Sequence, residues 1–209
     1  MMKWGRRLVE LIEDWNYLVR RDGWRTALPV VGEEVVKLPC RHIRFAILAR
    51  PLSEPLPNLT PRLALEIREF RPADIDLVRP INRPSEIRTC ALRSARGHLG
   101  LLALTQGQPV GYAWSCSETT LERVHLKLEP GDALCTDAYT APAFRGRGVQ
   151  TALKVALFRL LRDLGYSRAV AYIDQHNYPS LAVWRRLDGQ VVGHFNFIRI
   201  GLWRWVRYE

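Results

Sequence analysis

Asp137-Ala138-Tyr139-Thr140-Ala141-Pro142-Ala143-Phe144-Arg145-Gly146-Arg147-Gly148-Val149-Gln150-Thr151 is the stretch on which the reading of this chain turns. An extended segment, Ala133–Ala141, ends at Pro142. A turn rich in Gly and Arg follows, and then an amphipathic helix over Thr151–Leu164 that Gly165 closes. Gly146 and Gly148 remove the Cβ atoms that would hold a phosphate away from the backbone. The helix start adds unpaired N–H groups and the positive end of its dipole. Arg145 and Arg147 supply charge-assisted donors. The chemistry predicts a phosphate or pyrophosphate site; the alternative is a tight turn with solvated arginines. A dinucleotide-binding turn would want a third glycine where Thr151 stands, and would fall earlier in the chain.

Outward from this stretch the pattern is strand, helix, strand. Arg168–Asp174 reads as a strand, about Pro179–Leu187 as a second helix, and Val191–Ile200 and Leu202–Tyr208 as strands about Gly201. Upstream, Leu65–Phe70 is a strand and Arg71-Pro72-Ala73-Asp74 begins a helix. His98–Thr105 and Val110–Cys116 form a hairpin around Gln106-Gly107-Gln108-Pro109. This order predicts an α/β fold with a mixed sheet. Nearer the start, residues 4–20 show a helical apolar face, and Pro29 and Gly32 shorten any helix that follows. His42–Leu48 alternates like a strand. Pro51, Pro55, Pro57 and Pro61 then mark a linker. The expected division is an N-terminal extension, 1–60, and a main domain, 61–209.

Arg145-x-x-Gly148 after a strand ending in Pro, then helix, strand and Asn177-x-x-Ser180-x-x-x-Trp184, closely resembles the acetyl-coenzyme A signature of the GNAT acyltransferase superfamily. The resemblance covers about Leu65 to Tyr208. It implies a mostly antiparallel mixed sheet flanked by helices, with acetyl-CoA as acyl donor and no metal. It also implies that Arg145, Gly146, Arg147, Gly148, Val149, Gln150 and Thr151 hold the pyrophosphate. The main chain around Tyr139, Thr140 and Ala141 would meet pantetheine, Asn177 would approach the pantetheine or the thiol region, and Ser180 would also contact the cofactor. Three departures stand out. Gln150 replaces Gly or Ala, and Asp188-Gly189 replaces a Gly-aromatic pair. Trp184 stands where many members have a Tyr that protonates the leaving thiolate. Indole is a negligible acid, so Trp184 reads as a core aromatic beside Leu181 and Leu187.

Amine attack on a thioester needs a neutral amine, an oriented carbonyl and a route for a proton. On Ala133–Ala141, strict alternation puts Cys135, Asp137 and Tyr139 on one face. Asp137 is the candidate base, directly or through water, and Tyr139 an acid or a substrate wall. His176, beside Asp174 at the end of a strand, is a second proton relay. Cys116 and Cys135 lack a recognisable His/Asp partner and read as buried small hydrophobes. Arg83 and Glu86 are candidates to hold an acceptor, with helix capping as the alternative.

Of the 209 residues, 47% are hydrophobic and 25% charged, which excludes a wholly disordered chain. The net charge is +10, and of 31 basic residues only Lys3, Lys37, Lys127 and Lys154 are lysine. Arginine suits phosphate and carboxylate partners. The arginines are scattered, without the basic stripe of a nucleic-acid binder. Four separated cysteines form no CxxC, so neither metal-ligand spacing nor a disulfide scaffold is predicted. The acidic residues in MMKWGRRLVELIEDW interrupt any signal-peptide core, and the uncharged run Gly97–Ser117 breaks at a turn and reads as no membrane span. The expectation is a cytoplasmic acetyl-CoA-dependent N-acetyltransferase in which a small-molecule amine attacks the thioester directly. An amino sugar is suggested by likeness to glycan-synthesis-associated bacterial members. The alternative is a non-catalytic CoA- or anion-binding module. Helix 4–20 is expected to pack on the main domain first, in a homodimer second and on a membrane third.

Overall fold

The Gln106-Gly107 turn, both residues at positive φ, joins two apolar strands and starts the sheet on which everything else is hung. The computed structural model describes residues 2–36, 40–117, 120–121, 124–125, 127–200 and 203–209. In chain order the elements are α1 (Met2–Asp22), α2 (Trp24–Val36), β1 (Cys40–Pro51), β2 (Glu66–Glu69), α3 (Asp74–Val78), α4 (Pro84–Ala95), β3 (Leu99–Thr105) and β4 (Gln108–Cys116). There follow β5 (Thr120–Leu121), β6 (Val124–His125), β7 (Asp132–Thr140), α5 (Val149–Asp163), β8 (Arg168–Asp174), α6 (Tyr178–Arg186), β9 (Gln190–Ile200) and β10 (Trp203–Tyr208). Short 3₁₀ turns occupy Arg79–Ile81 and Pro142–Phe144.

The main sheet runs β10-β9-β1-β8-β7-β4-β3-β2, and β5 pairs only with β6. β7 and β8 are parallel; every other neighbouring pair is antiparallel. The fold is thus α/β with a mixed, mostly antiparallel open sheet. α5 and α6 cover one face, burying Leu153, Leu157, Phe158, Leu161 and Trp184 against Ala46, Leu48, Ala113 and Ala171. The other face holds Phe70, Leu102, Leu104, Tyr112 and Trp114 against Val78, Ile87 and Cys90 of α3 and α4.

The N-terminal sequence departs from the expected extension. β1 lies inside the sheet, pairing with β8 over Phe45–Pro51 and with β9 over Cys40–Ala49. Its alternating Ile43, Phe45 and Ile47 announce a strand, but its partners stand more than a hundred residues away. No local pattern names them. The proline-rich segment after it is also more than a linker. Leu52 is buried, and the buried Arg50 guanidinium donates to the carbonyls of Leu187 (2.6 Å), Pro51 (3.0 Å) and Pro55 (2.7 Å). α2 continues through Pro29 over 13 residues, because Ala27, wholly buried, packs in a helix pair that overrides the local propensity. α1 docks on the start of α4. Leu11 and Leu18 are buried, and Asp14 accepts from Ser85 N (3.2 Å) and Ser85 Oγ (2.6 Å), a carboxylate at a helix N-terminus. Glu13 pairs with Arg88. The side chains of Trp4 and Leu8 fall outside the described residues. Among the described residues no helix is long and apolar enough to cross a membrane.

At the start of α3, Asp74 is buried and gathers Arg68 in a two-pronged pair (2.7 and 2.6 Å) together with Arg71 N (2.7 Å). The hydrogen bond from Arg68 holds the Asp74 carboxyl below its usual value, against the opposing effect of burial. A depressed carboxylate contributes stability at pH values above its unfolded pKa near ~3.9. That contribution is lost as pH falls through the lower folded value. Asp74→Asn should therefore cost about 2 kcal/mol at pH 7, roughly 5 °C in Tm for a chain of this size. The difference from the parent should shrink at pH 3. Equal deficits at both pH values in thermal melts would contradict this account.

Candidate active site

β7 and β8 are paired only at Asp132–Leu134 opposite Arg168–Val170. An Arg168–Asp132 pair with two contacts, 2.7 and 2.8 Å, clasps that end. Beyond it the strands diverge, and the free edges bound a cavity of about 1100 Å³. The cavity opens between α4 on one face of the sheet and α5 and α6 on the other, so it passes through the sheet.

At its head stands the Gly-Arg turn. Gly148 caps α5 in the left-handed region (φ 84, ψ 5), and a Cβ there would sit 3.2 Å from Pro61 Cα. Arg62 N donates to Arg147 O (3.0 Å), so the proline-rich segment braces the turn from outside. Arg145 Nε donates to Thr140 O (3.2 Å), tying the turn back to the strand. Gln150 donates through Nε2 to Tyr139 O (2.5 Å), with a longer approach to Tyr112 O (3.3 Å). Its Oε1 is buried without a hydrogen bond.

The residues expected to bind the cofactor are largely brought together. Thr140, Arg145, Gly146 and Gly148 line the cavity, as do Val149, Gln150 and Thr151. From α6, Asn177 and Ser180 also reach it. Ala141 and Arg147 do not line it. Ala141 is buried and its N–H donates to Val110 O (2.9 Å), and the Arg147 guanidinium lies 5.8 Å from the Phe144 ring centroid. Asn177 uses its Oδ1 to cap α6, accepting from Ser180 N (3.3 Å).

The catalytic candidates separate. A register shift between β4 and β7, at Ala113/Ser115, puts an extra residue into β7, and this bulge breaks the alternation read from sequence. Cys135 therefore packs with the α5–α6 core, while Asp137 and Tyr139 face α3 and α4. Cys135, Asp137 and Tyr139 do not share a face. Asp137 lines the cavity, its side chain 40% exposed, with Oδ2 2.9 Å from Arg93 Nη1; the pair lacks hydrogen-bond alignment. Tyr139 stacks on Tyr112, centroids 5.5 Å apart, and its hydroxyl donates to Ile81 O (2.6 Å). Burial first, and the nearby Glu86 second, push its phenol up from the ordinary value. That hydroxyl is spent on the fold and is a poor acid. His176 is exposed, with Nδ1 3.2 Å from Asp174 Oδ1, and lies outside the cavity lining. Arg83 and Glu86 pair with each other (2.9 Å), and Glu86 Oε2 accepts Arg83 N (2.9 Å) to cap α4; capping is what they do. Burial pushes the Cys135 thiol up, with Lys154 opposing, so it is a weak nucleophile at neutral pH.

Trp184 is 1% exposed and packs on Phe158, centroids 5.4 Å apart. The Asp188-Gly189 turn follows from it. Asp188 takes positive φ, and a Cβ on Gly189 would fall 2.6 Å from Trp184 Cε3. Two residues near the chemistry escaped the sequence reading. Arg93 belongs to α4, a helix that the pattern between Pro84 and His98 does not announce. Lys154 left a visible signal, a charge three and four residues before Leu157 and Phe158 on an apolar helix face. Among the described residues no group of three or more His, Cys, Asp or Glu could hold a metal ion.

The model of the acetyltransferase (GNAT) family matches residues 64–199. No curated protein matches the chain in sequence. Among solved structures, a Drosophila protein from structural genomics superposes with a TM-score of 0.58 at 15% identity, over 86% of this chain and 58% of that one. A GCN5-related N-acetyltransferase from Sphaerobacter thermophilus gives 0.55 at 18% identity, over 88% of this chain and 56% of its own. The chain thus spans little more than half the length of these two relatives, and the likeness is one of fold.

Proposed function

This chain belongs to the acetyltransferase (GNAT) family, and from that premise we propose that it transfers an acyl group, most simply acetyl, from coenzyme A to an amine. One observation carries the reading. β7 and β8 part beyond Leu134 and Val170, directly below a glycine-capped helix start. That arrangement offers backbone donors to a pyrophosphate and an open strand edge to the pantetheine amides. Arg145, Gly146, Gly148, Val149, Gln150 and Thr151 hold the phosphates in this proposal, and Thr140 and its neighbours hold the arm.

The acyl carbon is attacked directly by the amine. Positioning supplies much of the rate, and Asp137, reachable from the cavity, takes the amine proton through water. No acyl-cysteine is needed, and the raised Cys135 thiol argues against one. Neither the family nor the site favours an amino sugar over another amine. A cytoplasmic setting is the simplest one for a coenzyme A substrate, and dimer formation is not required by the site.

Asp137→Asn should lower turnover by roughly 10²-fold while coenzyme A affinity changes little. The measurement is steady-state kinetics with acetyl-CoA across a panel of amines, beside calorimetry with CoA. Full activity in the variant would remove Asp137 as the base. A second reading, coenzyme A binding without turnover, is favoured by the Arg93–Asp137 pair and by Trp184. Stoichiometric CoA binding with no acetylated product from any amine would select it.

A further inference from the structure

Lys154 is 4% exposed, on the face of α5 that also buries Leu157, Phe158 and Leu161. An ammonium is costly to take from water unless an anion or several acceptors meet it. Arg50, also deeply buried, has its acceptors in a ring of backbone carbonyls. Lys154 has none. Its Nζ lies 5.7 Å from the Trp184 ring centroid, and no carboxylate or hydrogen-bond acceptor among the described residues meets it. A cation over an indole face recovers only part of the desolvation. The side chain lines the cavity, so its charge is presented to whatever fills that space.

Its position narrows what that is. Gln150 touches the main chain of Tyr139, and Lys154 is one turn farther along α5, about 6 Å. This is toward the end where β7 and β8 close at Leu134 and Val170. A chain that begins at the Gly-Arg turn and follows the free edge of β7 ends beside Lys154, Cys135 and Trp184. We propose that Lys154 is the cation that receives the sulfur of coenzyme A as it leaves. This rests on the coenzyme A reading above. As the amine nitrogen bonds to the acyl carbon, the carbon–sulfur bond breaks and its electron pair stays on sulfur. The ammonium hydrogen-bonds that thiolate, and the proton shed by the amine passes through water to Asp137, as proposed above. Trp184 has no acidic proton to give, and the Tyr139 hydroxyl is held by Ile81. A compact ammonium suits a single sulfur better than a planar guanidinium does.

The test needs no acceptor. At pH 8.5, near the ordinary pKa of a cysteine thiol, ~8.5, where part of the coenzyme A is thiolate, calorimetry compares coenzyme A with desulfo-coenzyme A. The parent protein should prefer coenzyme A by about tenfold. Lys154→Met should abolish that preference and leave desulfo-coenzyme A binding within about twofold, since phosphate and pantetheine contacts are untouched. Lys154→Arg should restore part of the preference. The methionine variant should melt at or above the parent temperature, because a largely buried ammonium gives way to an apolar side chain of similar length. An undiminished preference in Lys154→Met overturns the proposal. So does tighter binding of succinyl-CoA than acetyl-CoA that depends on Lys154, which would give the lysine to the acyl group. If the parent binds neither coenzyme A nor its desulfo form, the coenzyme A reading itself falls.

Discussion

Gly148→Asp is expected to weaken coenzyme A binding by at least about 100-fold, because a new charge close to the pyrophosphate costs on the order of 4 kcal/mol near a protein surface. Two effects add to this. Gly148 has φ +84 and caps α5, a conformation that costs an L-residue about 1–2 kcal/mol. A Cβ there would also press on Pro61, 3.2 Å away. Gly148→Ala separates the terms, since it carries the strain and the contact without the charge. Its binding should fall by a smaller factor than that of the aspartate. The measurement is calorimetry with coenzyme A, with a melt to show that both variants fold. Unchanged affinity in Gly148→Asp would place the phosphates elsewhere.

A chain reduced to residues 61–209 is expected not to fold at all. It would lack β1, which stands between β8 and β9, and with it the buried Ala46, Leu48, Ala49, Arg50 and Leu52. Both neighbouring strands would become open edges, and such edges invite aggregation. Removing residues 1–39 takes away α1 and α2 but leaves the sheet whole. That shorter deletion should fold with a lowered Tm, having lost the Asp14–Ser85 contacts on α4. Circular dichroism melts and size-exclusion chromatography distinguish the two. A cooperative melt and monomeric elution for residues 61–209 would mean that β1 is dispensable.

The contrast between those deletions reflects how information lies along this chain. Where structure depends on neighbours a few residues apart, the sequence alone determines it. Arg168–Asp174 is a strand with the bounds read from sequence. α5 begins at the turn whose glycines predict it and ends beside Gly165. The Gly146 and Gly148 backbone, the helix start and the arginines around them are local chemistry, and so the family was legible there. The order of the elements implied a mixed sheet, because strand–helix–strand leaves few other ways to bury an apolar helix face.

Tertiary structure decided the rest. The slot that β1 fills depends on which distant edges are left open, and Ile43, Phe45 and Ile47 carry no information about that. The bulge in β7 arises from its register against β4, and it moves Cys135 to the face opposite Asp137. Alternation along one strand could not show this, since a bulge is a property of two strands. Arg93 meets Asp137, and the Tyr139 hydroxyl meets Ile81, through contacts between segments far apart in sequence. Lys154 was visible as a charge on an apolar helix face. Only the packing of α5 against α6 and the parting of β7 from β8 gave that charge an indole on one side and an open cavity on the other.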